Sequence, residues 1–225
     1  MDEADRYSRI RFPEDRARAL VARGMLRTIL AAQSGIPPAG LAFHYSPKGK
    51  PTLAPVHKIN LPFSVSHSGD WALIGVGGAG RVGVDIERLR PFRKLSAIAD
   101  RYFAPREITL LHQVDEASRL RTFFSLWTAK EAFVKALGGG ISHGFHTFTV
   151  LTDNQGQPAV SDVDGSEAEG ARWTIWSGEP TPGYLASVAI DLPAARVVPH
   201  IWTGSDGEQP WCLQGSNPAR SVDKR

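Results

Sequence analysis

At 225 residues, with 42% hydrophobic and 22% charged positions, the chain is long enough to bury one sizeable core or two small ones. A single cysteine, Cys212, excludes an internal disulfide, and the lack of a signal peptide or an apolar run of membrane-spanning length predicts a cytoplasmic protein with no membrane partner. Net charge is only +3, yet seven arginines (Arg6, Arg9, Arg11, Arg16, Arg18, Arg23, Arg27) fall between positions 6 and 27; without interleaved aromatics or a nucleic-acid motif they argue against a nucleic-acid partner.

Residues 13–34 read as a helix, opened by Pro13, striped by Leu20, Met25, Leu26, Ile29 and Leu30, and ended by Gly35 and Pro37-Pro38. Strands are predicted near 41–45, 63–66, 71–77 and 81–87, between glycine and proline turns. Lys48-Gly49-Lys50-Pro51 is a flexible basic turn. The run Phe63–Gly69 ends in Ser66-His67-Ser68, whose hydroxyls and imidazole are donors suited to a phosphate. Gly75-Val76-Gly77-Gly78-Ala79-Gly80 fits the dinucleotide-binding string, but that fingerprint must open a helix, and 81–87 alternates as a strand. A hairpin turn is expected there instead.

In Gly83-Val84-Asp85-Ile86-Glu87 the alternation sends both carboxylates to one face and Val84 and Ile86 to the core. Pro91 then opens a helical second half, with helices near 94–103, 105–113 and 116–137 before Gly138-Gly139-Gly140. Helical spacing in the third stacks Trp127, Glu131 and Lys135 at steps of four. Later strands are expected near 146–152, 172–177 and 184–190, and residues 204–225 read as a disordered tail. His143 and His146 have no further ligand-type residue at metal spacing, so a loop is expected.

Asp85, Glu87 and Glu131 are hard oxygen donors of the kind that hold Mg²⁺ against a phosphate. Singly they read as an exposed strand edge and an ordinary surface pair with Lys135; in order with the other motifs they read as a site. The order Gly-Lys-Pro, Ser-His-Ser, Gly-Val-Asp-Ile-Glu and Trp-Thr-x-Lys-Glu-Ala-x-x-Lys resembles the 4′-phosphopantetheinyl transferase superfamily, in its larger Sfp-like branch, over about residues 6 to 190.

The resemblance implies an α+β fold of two similar halves related by a pseudo-twofold, each a small, mainly antiparallel sheet packed on a long helix, with coenzyme A in the cleft between them. The halves would be residues 1–90 and 91–195, the second carrying the metal-binding helix. It implies a monomeric, Mg²⁺-dependent enzyme of the holo-[acyl-carrier-protein] synthase type. Such an enzyme moves the 4′-phosphopantetheine arm of coenzyme A to a serine of an apo acyl, polyketide or peptidyl carrier protein and releases adenosine 3′,5′-bisphosphate.

Carried over by position, Asp85, Glu87 and Glu131 would hold Mg²⁺ and Lys135 the pyrophosphate. Ser66, His67 and Lys50 would touch coenzyme A, Arg18 its 3′-phosphate, and Arg6 an upstream basic position. The serine proton would pass to Glu131, with Glu107 or a bound water as alternatives. Lys130, about 100° round the helix from Glu131, would face solvent or the carrier. The family's first strand has no counterpart at the start of this chain, which predicts an incomplete first sheet. Two other classes fit the same acids: a protein that binds coenzyme A without turnover, and a Mg²⁺ phosphohydrolase.

Overall fold

A computed structural model describes residues 7–91, 93–139, 144–153, 156–202 and 208–210. Arg6, His143 and the tail positions 204–207 and 211–225 lie outside the described residues. In chain order the elements are α1 (Pro13–Ser34), β1 (Phe43–Tyr45), β2 (Pro51–Leu53), β3 (Phe63–Ser68), β4 (Trp71–Val76), β5 (Val82–Arg88), α2 (Leu95–Tyr102), α3 (Pro105–Gln113), α4 (Glu116–Leu137), β6 (Phe148–Thr152), β7 (Pro158–Val163), α5 (Glu167–Gly170), β8 (Thr174–Gly178), β9 (Tyr184–Ile190), β10 (His200–Trp202) and β11 (Glu208–Pro210).

The two long helices, α1 and α4, each stop where the sequence supplies a left-handed glycine. Gly35 (φ 73°) returns its N–H to the Ala31 carbonyl, and Gly138 (φ 77°) does the same to Val134 and Lys135. At its start α4 is capped by Asp115, whose carboxylate accepts the Ser118 N–H at 2.8 Å. Helix α1 buries one stripe, through Leu26 and Leu30, against Leu41, Leu53 and Phe63. Helix α4 buries nearly every side, from Phe123 and Leu126 to Ala132, Phe133, Val134 and Ala136. A helix apolar all round belongs inside, and α4 is accordingly the axis of the larger core, with Phe103, Phe145, Phe148 and Leu185 around it.

The strands form small antiparallel sheets, β1-β2, β3-β4, β5-β9-β8, β6-β7 and β10-β11. The α+β architecture of small antiparallel sheets with long helices is therefore as expected. Four strands, β2, β7, β10 and β11, were not foreseen, and β11 lies within the stretch expected to be a disordered tail. The glycines at 75–80 make no hairpin: β4 pairs with β3, whereas β5 crosses to β9, placing Val82 opposite Ile190 and Asp85 opposite Ser187. No helix follows the glycines, so the dinucleotide string has no structural counterpart.

Strand β5 lies directly on α4, and Gly83 is the reason it can. A Cβ at that position would stand 1.9 Å from the Ala132 carbonyl oxygen and 2.3 Å from the Ala136 nitrogen. Glycine therefore lets the backbone of the strand that carries Asp85 and Glu87 touch the backbone of the helix that carries Glu131 and Lys135.

Candidate active site

Asp85 is buried at 3% exposure on β5, and its Oδ1 receives two hydrogen bonds, from Ser66 Oγ on β3 at 2.7 Å and from Lys135 Nζ on α4 at 2.7 Å. Lys135 also donates to Ser66 Oγ at 2.9 Å, closing a triangle across three elements. The other oxygen, Asp85 Oδ2, is buried with no hydrogen-bond partner among the described residues. A buried carboxylate oxygen left empty is costly, and it marks this residue as prepared for something the polypeptide does not supply.

Two residues along the strand, Glu87 Oε2 accepts from Ser68 Oγ at 2.9 Å. Burial raises the Glu87 carboxyl, and the charge of Asp85 raises it further. Asp85 is itself raised by burial, opposed first by Lys135. Glu131 is pushed up to about 7, mainly by burial, then by Asp85, against the pull of Lys135, with Glu87 adding to the rise. The three acids thus feel one another's charge, although they come from a strand and a helix far apart in sequence.

Lys135 is the cation whose charge reaches all three acids, and Arg90 adds to it at Glu87. No group of three or more His, Cys, Asp or Glu side chains close enough to hold a metal ion occurs among the described residues. The donor set nevertheless suits a hard divalent cation: three mutually repelling carboxylates, one of them with an unfilled buried oxygen, and a single lysine between them.

His67 is exposed on β3, beside Ser66. Arg18, exposed on α1, holds Asp70 at 2.8 Å and Asp15 at 3.0 Å. Lys50, on the turn between β1 and β2, sends its ammonium to the carbonyls of Lys135 (2.5 Å), Ala136 (3.0 Å) and Val82 (3.2 Å). It thereby caps the C-terminal end of α4, where the helix dipole favours a cation. Burial, with a smaller push from Arg81, lowers it to about 8.

Glu107 stands apart from the trio. It is wholly buried at the start of α3, where its carboxylate takes Lys130 Nζ at 2.6 Å, the Val150 N–H at 2.6 Å and the Ala104 N–H at 2.7 Å. Lys130 is likewise 0% exposed, so it faces neither solvent nor a partner protein. Because α4 from Phe123 onward is covered on the side away from Glu131, a residue turned there meets α3 and β6 instead of water. Sequence reasoning also missed a hydroxyl relay behind the site: Thr128 on α4 meets Ser187 on β9 at 2.8 Å, and Ser187 meets Ser177 on β8 at 2.7 Å. Three small polar residues at core-facing positions were its only signal.

A family model described as the 4′-phosphopantetheinyl transferase superfamily matches residues 81–190, and one described as 4′-phosphopantetheinyl transferase, N-terminal, matches residues 1–77. The 4′-phosphopantetheinyl transferase HetI of Nostoc sp. is 41% identical over 190 residues, covering 84% of this chain and 77% of HetI. A putative 4′-phosphopantetheinyl transferase of Synechocystis sp. is 41% identical over 146 residues, 65% of this chain but only 58% of that protein. The 4′-phosphopantetheinyl transferase Sfp of Bacillus subtilis is 27% identical over 192 residues, covering 85% of this chain and 82% of Sfp. Among solved structures, holo-[acyl-carrier-protein] synthase of Neisseria meningitidis aligns with a TM-score of 0.41 and 23% identity, over 49% of this chain and 95% of that one.

Proposed function

Given that the chain belongs to the 4′-phosphopantetheinyl transferase superfamily, we propose that it moves the 4′-phosphopantetheine arm of coenzyme A to a serine of an apo acyl, polyketide or peptidyl carrier protein, and that the Asp85–Glu87–Glu131–Lys135 cluster performs the transfer. The observation that carries this reading is the Asp85–Lys135 pair joining β5 to α4, with Asp85 Oδ2 left empty and Glu131 near enough to be raised by the Asp85 charge.

In the reaction the carrier serine oxygen bonds to the pantetheine-side phosphorus. The bond from that phosphorus to the bridging oxygen breaks, and adenosine 3′,5′-bisphosphate leaves. Asp85, Glu87 and Glu131 would hold Mg²⁺, which when bound supplies Lewis-acid charge for the pyrophosphate. Lys135, 31% exposed and so open to a ligand, offsets charge on the phosphates. Glu131, the carboxylate that α4 places beside Asp85 and Lys135, is the acceptor for the serine proton. Glu107 is a poorer base, because three donors already occupy its oxygens. His67, on the exposed face of β3, would reach the phosphates, while Ser66, held between Asp85 and Lys135, would act from the opposite face of the strand. Arg18 would exchange its exposed carboxylate partners for the 3′-phosphate, as solvent-exposed pairs readily allow.

Among the described residues no helix is long and apolar enough to cross a membrane. With both halves on one chain, the reading is completed by a monomer acting in the cytoplasm. The test is intact-mass measurement of several apo carriers after incubation with the full chain, coenzyme A and Mg²⁺. A gain of about 340 Da, set by the composition of the arm, is expected on at least one. No gain on any carrier whose serine is intact overturns the proposal, and phosphate release from coenzyme A without a carrier would mark a hydrolase instead.

A further inference from the structure

Strands β3 and β5 run beside each other without belonging to one sheet. β3 pairs with β4, and one edge of β5 pairs with β9. Its opposite edge would ordinarily need another strand, because unpaired buried N–H groups are costly. Serine hydroxyls take that place. The Val84 N–H donates to Ser64 Oγ at 3.1 Å, and the Arg88 N–H donates to Ser68 Oγ at 3.1 Å. Ser64, Ser66 and Ser68 follow at the period of two that sends alternate strand residues to one face.

We propose that these three serines form a hydroxyl ladder along the edge of β5, and that Ser68 is a positioning residue that aims the Glu87 carboxylate. A hydroxyl carries one proton. Ser68 Oγ already accepts the Arg88 N–H, so its own proton is directed to Glu87 Oε2, 2.9 Å away. Ser66 repeats the pattern: its oxygen accepts from Lys135 at 2.9 Å, and its proton goes to Asp85 Oδ1 at 2.7 Å. Each acid of β5 is thus gripped by one serine of another sheet, and in each case a second donor fixes the direction of the grip. Ser64 satisfies a main-chain amide but touches neither acid, which makes it an internal control.

The inference rests on the reading that Asp85 and Glu87 hold a divalent cation. Hydrogen-bond partners of metal-ligating groups typically govern about 10–100-fold of metal affinity. The experiment titrates Mg²⁺ calorimetrically into the full chain with coenzyme A present, alongside amide hydrogen exchange of the same proteins. Ser68→Ala is expected to weaken Mg²⁺ by about 10-fold and to speed exchange at Arg88. Ser68→Thr, which keeps the hydroxyl on a side chain suited to a strand, should restore both. Ser64→Ala should speed exchange at Val84 while leaving Mg²⁺ affinity as in the parent chain. If Ser68→Ala binds Mg²⁺ like the parent while Glu87→Ala has lost it, the ladder proposal is overturned and the cation reading stands. If Asp85→Ala and Glu87→Ala both bind like the parent, the cation reading falls and takes the positioning role with it.

Discussion

Helix α4 carries two lysine–carboxylate pairs built to opposite specifications. Lys130 and Glu107 meet at 2.6 Å with both side chains 0% exposed. The Ala104 and Val150 amides engage Glu107 as well, so that both of its oxygens are bonded, while Lys130 also donates to the Phe148 carbonyl at 2.9 Å and lies 4.1 Å from the centre of the Phe148 ring. One turn further on, Lys135 and Asp85 meet at 2.7 Å, but the lysine is 31% exposed and Asp85 Oδ2 has no partner among the described residues. The first pair is closed in every direction and acts as a strut between α3, α4 and β6. The second is closed on one side only, and its open side is where chemistry can enter. Within one helix, the completeness of hydrogen bonding separates support from site better than burial does, since Glu107 and Asp85 are both buried acids.

The contrast can be broken most sharply at the closed pair. Glu107→Ala leaves the Lys130 charge uncompensated in the core and should cost about 3–5 kcal/mol of stability in urea denaturation. Replacing both partners together, Glu107→Leu with Lys130→Met, removes the stranded charge but leaves the Ala104 and Val150 amides without their acceptor, so only part of that loss should be recovered; a single variant as stable as the parent would deny the pair its role as a strut. The open pair should answer in the other currency. Asp85→Asn keeps the shape and removes the charge, and carrier modification followed by mass should slow by about 10²–10³-fold, with little change in the denaturation midpoint. A normal rate would remove Asp85 from the chemistry.

Lys50 tests whether the end of α4 needs its cap. Lys50→Met strips a donor from the Lys135, Ala136 and Val82 carbonyls, and a loss of about 1–3 kcal/mol is expected. The smallest effect is its pH dependence. Between about 8, where burial places Lys50 in the fold, and its ordinary 10.5, the unfolded chain still holds a proton that the folded chain has released. Stability should therefore rise with pH through that window in the parent chain and not in Lys50→Met. Parallel slopes in denaturant midpoints would show that the ammonium is not buried as described.

Much of this contrast was legible in the sequence, and the part that was not has a common cause. The bounds of α3, α4 and β9 coincide with the expected 105–113, 116–137 and 184–190, because proline, Asp115 and glycine punctuate them locally. The alternation at 83–87 identified the strand that carries two acids. What local pattern does not encode is the neighbour of each strand. The glycines before β5 look like a hairpin, yet β5 pairs with β9, about a hundred residues away in sequence. Strands β2 and β7 begin at prolines, which weaken strand signals. Lys130 was misread for a related reason, since spacing places it off the Glu131 face but does not say that α3 and β6 cover that side of α4. The serine hydroxyls of β3 were legible as donors, while their engagement with Asp85 and Glu87 depends on two sheets meeting side by side.

The main-chain contact at Gly83 has a consequence for how the cluster tolerates change. Two acids ride on a strand and the third on a helix, and the gap between those supports is a bare peptide-to-peptide contact with no side chain as a spacer. The bite of the cluster is therefore gauged by backbone alone. Substitutions elsewhere on the strand or helix can alter the charge it presents without resetting its width, whereas a single methyl group at position 83 would pry the jaws apart.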